Sequence, residues 1–132
     1  VIVLDTGAVK ALAVGHKTLN LLAGNMARTP GDHLVIPALC LTVAESDEEG
    51  VAHRVLALSS VGVDPLDTVA AVGVGTMIRD GLGGPDTCHA LYCALPRAEF
   101  TGRSILLTNR EDAYPRGIVT VDIDSPGMLG HW

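Results

Sequence analysis

Val1-Ile2-Val3-Leu4 is an unbroken apolar run, mostly β-branched, that stops at Asp5. A strand with one wet face alternates apolar and polar side chains, so a run with no polar position is a strand covered on both faces. Such strands belong to parallel sheets with helices above and below, and this restricts the chain more than any other feature. Further runs fit the same reading. His33-Leu34-Val35-Ile36 forms a second strand and Pro37 opens the helix behind it. Val61-Gly62-Val63-Asp64 is a short strand stopped by Pro65. Ser104 to Thr108 and Ile118 to Ile123 are two more β-rich runs.

Between them lie helical spacings. A helix begins around Ala8 to Leu12, and Leu19, Leu22 and Met26 mark a second over Thr18 to Met26. Helices are also read over Ala38 to Glu45, over Val51 to Ser59, from Asp67 or Thr68 to Arg79, and from Asp86-Thr87 onward with Leu91 and Leu95 on the buried face. Strands alternating with helices along the whole length predict an α/β fold. The expected form is a three-layer α/β/α sandwich around a short parallel sheet of four or five strands. At 132 residues the chain suits a single domain over 1–132, and no repeat or linker divides it.

Composition narrows the function. The formal net charge is -6, the wrong sign for a general nucleic-acid surface, because neutralising phosphate supplies most non-specific affinity. Four aromatics, Tyr92, Phe100, Tyr114 and Trp132, are too few for a base-stacking platform. Cys40, Cys88 and Cys93 form no CxxC pair and are expected to be buried reduced thiols. The opening residues carry no basic-then-apolar leader. The most apolar long window, Val61 to Ile78, is broken by Asp64, Pro65, Asp67 and glycines, so no membrane span is expected. The expected location is cytoplasmic.

The candidate chemistry lies in carboxylates. Asp5 directly follows a buried strand, at the carboxyl edge where parallel sheets open a crevice. Asp86 follows a glycine-proline loop at a helix start, and Glu45 closes the helix behind the second strand. Three acids converging there would stay ionised only beside a cation. Oxygen donors alone suit Mg2+ or Mn2+ better than zinc. Each has a plainer reading: Asp86 as a helix cap, Asp5 as a turn residue, and Glu45 as a solvated helix end. His16, His33, His53, His89 and His131 show no paired-ligand spacing, although His89 lies one turn after Asp86 and is placed to face the cleft. Arg79 and Arg110 are candidates for touching phosphate. Asp47, Glu48 and Glu49 read as a wet helix end. Neither GxGxxG nor a Walker loop is present.

Val1-Ile2-Val3-Leu4-Asp5-Thr6-Gly7-Ala8 resembles the first strand of PIN-domain proteins, specifically the small VapC-like toxin ribonucleases. Leu34-Val35-Ile36-Pro37-Ala38 through Val43-Ala44-Glu45 is similar to that family's second motif, which delivers a glutamate. Pro85-Asp86-Thr87-Cys88-His89-Ala90-Leu91 is similar to the third, and Ser104-Ile105-Leu106-Leu107-Thr108 to the strand before its fourth acidic position. The resemblance implies sheet order 3-2-1-4-5 and a Mg2+- or Mn2+-dependent endoribonuclease, with Asp5, Glu45 and Asp86 as catalytic and metal-binding acids. It implies that Thr6 hydrogen-bonds a carboxylate or a metal-bound water. It also implies a homodimer and an antitoxin protein that blocks the cleft, as in a bacterial type II toxin–antitoxin pair. Two departures stand out. Gly7 replaces a common serine, and Asn109-Arg110 occupy the place of the fourth acid, for which Asp112 is expected to substitute ahead of Glu111. The alternative is a catalytically degenerate PIN fold serving as a protein-binding module. A receiver-like domain is disfavoured, since no lysine follows Lys17.

Overall fold

The computed structural model describes residues 1–96 and 104–128; Phe100, His131 and Trp132 lie outside them. Five strands, β1 (Ile2–Leu4), β2 (Leu34–Pro37), β3 (Val61–Asp64), β4 (Ile105–Thr108) and β5 (Thr120–Asp122), form one sheet in the order β3-β2-β1-β4-β5. Every pairing is parallel, with Val3 opposite Val35 on one side and Leu106 on the other. This is the expected order. The apolar runs sit where their composition requires: all of β1 and all of β4 are buried, whereas β3, with Gly62 and the exposed Val63, is an edge.

Helices flank the sheet. They are α1 (Thr6–Ala13), α2 (Lys17–Ala27), α3 (Ala38–Asp47), α4 (Val51–Leu56), α5 (Thr68–Arg79) and α6 (Pro85–Ala94). The core joins Val3, Leu4, Leu34, Ile36, Leu106 and Leu107 of the sheet to Leu19 and Leu22 of α2. Each such side chain, fully buried, contributes about 1.5–3 kcal/mol relative to exposure. Helix α5 packs mainly against α6; it buries Ala70 and Val74 while Val69 and Val72 stay exposed.

Several boundaries differ from the sequence reading. Helix α1 starts at Thr6 rather than Ala8, because the Asp5 carboxylate accepts the amide of Ala8 and nucleates the first turn. Helix α4 stops at Leu56, beyond which the Leu58 and Val61 amides donate turn hydrogen bonds to the Val55 and Leu58 carbonyls. The run Ile118 to Ile123 pairs only over Thr120–Asp122.

Candidate active site

Two of the expected acids lie near the carboxyl edge of the central strand, Asp86 bonding the residue that follows Asp5. Asp5 follows β1, and its amide bonds the Leu107 carbonyl of β4 at 3.2 Å. The residue is 2% exposed. Its Oδ1 accepts the Ala8 amide at 3.0 Å and its Oδ2 accepts the Tyr114 hydroxyl at 2.8 Å. The cap role and the buried site are therefore one residue. Thr6, next in the chain, donates its hydroxyl to Asp86 Oδ2 at 2.7 Å, the kind of contact its position implied. Asp86 does not cap α6. Gly84 occupies that position without a side-chain bond and Pro85 begins the helix, which leaves the half-buried Asp86 carboxylate facing Thr6.

Cys40 of α3 closes the floor. Its thiol donates to the Asp86 carbonyl at 3.3 Å. Burial, aided by the negative charges of Asp5 and Asp86 and opposed by a hydrogen bond to Thr6, pushes that thiol up to about 12. Burial also pushes the Tyr114 phenol well above its ordinary range, with the Asp5 charge and hydrogen bond acting in the same direction; the Arg110 guanidinium pulls the other way. Both groups keep their protons at neutral pH and act as donors. Neither signalled itself in the sequence, where Cys40 read only as a buried thiol.

The other expected acids lie elsewhere. Glu45 accepts the amides of Gly50 at 2.9 Å and Ala52 at 2.9 Å through its two oxygens. It thus caps α4, whose start needs the left-handed Gly50 at φ 91°. These two amides lower the Glu45 pKa. Helical phase explains this placement. At about 100° per residue, Val43 and Ala44 point within roughly 60° of Cys40, whereas Glu45 points about 140° away. Asp112 and Glu111 are exposed in the 3-10 turn Glu111–Ala113. Among the described residues no three His, Cys, Asp or Glu side chains are grouped to hold a metal ion. The expected cluster of three or four acids reduces to Asp5 and Asp86.

Two further expectations resolve locally. His89 is fully buried, and its Nδ1 accepts the Leu39 amide at 3.2 Å, a cap for α3 that Pro37 cannot supply. It does not face the cleft as expected. The two departures from the family pattern touch each other: a β-carbon on Gly7 would stand 2.7 Å from Asn109 Cγ and 3.0 Å from its Nδ2.

No protein-family model matches the sequence, and no curated protein matches it. Among solved structures, a chain of DNA-bound VapBC from Salmonella typhimurium is similar, with a TM-score of 0.59 and 19% identity over 92% of this chain and 97% of that one. The likeness establishes the fold: a five-strand parallel sheet flanked by helices, shared with a VapBC chain.

Proposed function

We propose that this chain, as a single PIN-like domain over residues 1–132, is the toxin-type endoribonuclease of a bacterial type II toxin–antitoxin pair. It hydrolyses RNA phosphodiesters in the cytoplasm with one Mg2+ or Mn2+ held by Asp5 and Asp86. The observation that carries this reading is the Thr6 hydroxyl on Asp86 Oδ2 at 2.7 Å. It brings Asp86 to the residue that follows Asp5, from a distant part of the chain, at the crevice of a parallel sheet. The donor set fits such an ion. Mg2+ is commonly held by one or two carboxylates with waters completing the shell, and Cys40, kept protonated, leaves the site to oxygen. Such an ion, when bound, activates water and neutralises charge developing on phosphate. The protein's own part is positional. Ala8 and Tyr114 orient Asp5, Thr6 orients Asp86, and the exposed Arg110 would meet a substrate phosphate.

The similarity to a VapBC chain, with the family resemblance, supports an antitoxin partner and a homodimer. The net charge of -6 argues against carrying over direct DNA binding. Among the described residues no helix is long and apolar enough to cross a membrane. The second reading, a degenerate module that binds protein only, is favoured by the positions of Glu45 and Asp112 away from the centre.

Manganese titration with structured RNA as substrate separates the two. The enzyme reading expects Mn2+-dependent cleavage that Asp5→Asn and Asp86→Asn each reduce on the order of 100-fold or more. Absence of binding and of cleavage at millimolar Mn2+ supports the module instead.

A further inference from the structure

The segment between β4 and β5 brings a phenol to the centre. Tyr114 leaves the 3-10 turn with its ring buried and 8% of its surface exposed. Its hydroxyl reaches Asp5 Oδ2 at 2.8 Å across 109 positions of chain. The Ala8 amide holds the other oxygen at 3.0 Å. A carboxylate with one oxygen held can still swing about its Cβ–Cγ bond; with both held from different elements it cannot. An ionised carboxylate offers roughly four lone-pair sites, so two protein donors leave about half of them, in directions the protein has fixed.

We propose that Tyr114 is a positioning residue that sets the divalent-cation affinity of the centre by locking the Asp5 carboxylate. This rests on the reading of Asp5 and Asp86 as a cation site. A donor to a metal-binding carboxylate acts through orientation, and losing one typically weakens the cation about 10- to 100-fold. Tyr114 thus enters the centre as an orienting group rather than as a ligand. That makes a two-carboxylate site more dependent on geometry than a four-acid site would be.

The test is the Mn2+ dissociation constant of the full chain by electron paramagnetic resonance, for wild type, Tyr114→Phe, Tyr92→Phe and Asp5→Asn. Thermal unfolding is measured on the same samples. Tyr92, whose ring lies against Gly73 of α5, controls for losing a phenol hydroxyl elsewhere. Tyr114→Phe is expected to weaken Mn2+ about 10- to 100-fold, with Tyr92→Phe within about twofold of wild type. Any cleavage lost in Tyr114→Phe is expected to return at raised Mn2+, which a merely structural role would not produce. Tyr114→Phe binding Mn2+ as tightly as wild type, or more tightly, overturns the proposal even if its Tm falls. Wild type failing to bind at millimolar Mn2+ is a different failure: it removes the cation site itself, and the role of Tyr114 with it.

Discussion

Asp5 and Asp86 reach the centre from the first turns of helices, whereas Glu45 sits near the end of one and Asp112 in an exposed turn. The contrast is one of how position is fixed. A residue that directly follows a buried central strand, or a proline at a helix start, is placed by topology. A residue late in a helix is placed by rotational phase, and a shift of two positions turns it about 200°. Glu45 lies on α3, the helix whose Cys40 touches Asp86, yet its carboxylate serves the α3–α4 corner.

The widest separation between the two groups is expected in activity. Asp86→Asn is expected to lower Mn2+-dependent RNA cleavage on the order of 100-fold. Glu45→Gln is expected to stay within about threefold, as for changes away from a site. A Glu45→Gln loss comparable to that of Asp86→Asn in a single-turnover assay would break the comparison. A gain sharpens it further. Val43 is half-buried and points toward the Cys40 side of α3. Val43→Glu combined with Glu45→Gln moves one carboxylate two positions along the same helix. Calorimetry is expected to show Mn2+ binding about tenfold tighter, since a third acid adds charge to the donor set. Unchanged affinity would mean that phase is not what keeps Glu45 out.

Much of the fold could be read from the chain, for a reason visible in β1 and β4. Continuous apolar runs have one low-energy home, between two layers, and the connections between parallel strands leave few orders to choose from. The location of Asp5 followed from the same logic. Asp86 followed less directly, since capping and site are equally served by a helix start until Gly84 is seen to take the cap. Glu45 misled because the corner after α3 has a need of its own: two amides at the start of α4 lack helical partners, and the Glu45 carboxylate accepts them. Tyr114 and Cys40 were illegible because their roles depend on contacts between distant segments, which neither periodicity nor spacing records.

The corner role of Glu45 has its own signature in pH. Backbone amides depress its folded pKa, so its contribution to stability is present above the ordinary carboxylate range. That contribution is lost as pH falls through the folded value. Wild type is therefore expected to exceed Glu45→Gln in Tm at pH 7, with the gap closing on acidification. A gap constant with pH would assign the difference to something other than the charge.

The smallest effect concerns Gly7 and Asn109, which the structure makes neighbours. Alanine in place of a helical glycine usually stabilises, by roughly 0.5–1 kcal/mol. Here the new β-carbon would meet the Asn109 side chain. Asn109 is exposed and its amide can swing aside, so Gly7→Ala alone is expected to be close to neutral. In an Asn109→Ala background the obstacle is gone and the full gain of about 0.5–1 kcal/mol should emerge. A double-mutant cycle by urea unfolding then gives a favourable coupling of that size between the two substitutions. Strict additivity would show that the glycine and the asparagine are independent accidents. Coupling would mean that the first turn of α1 makes room for the Asn109 side chain.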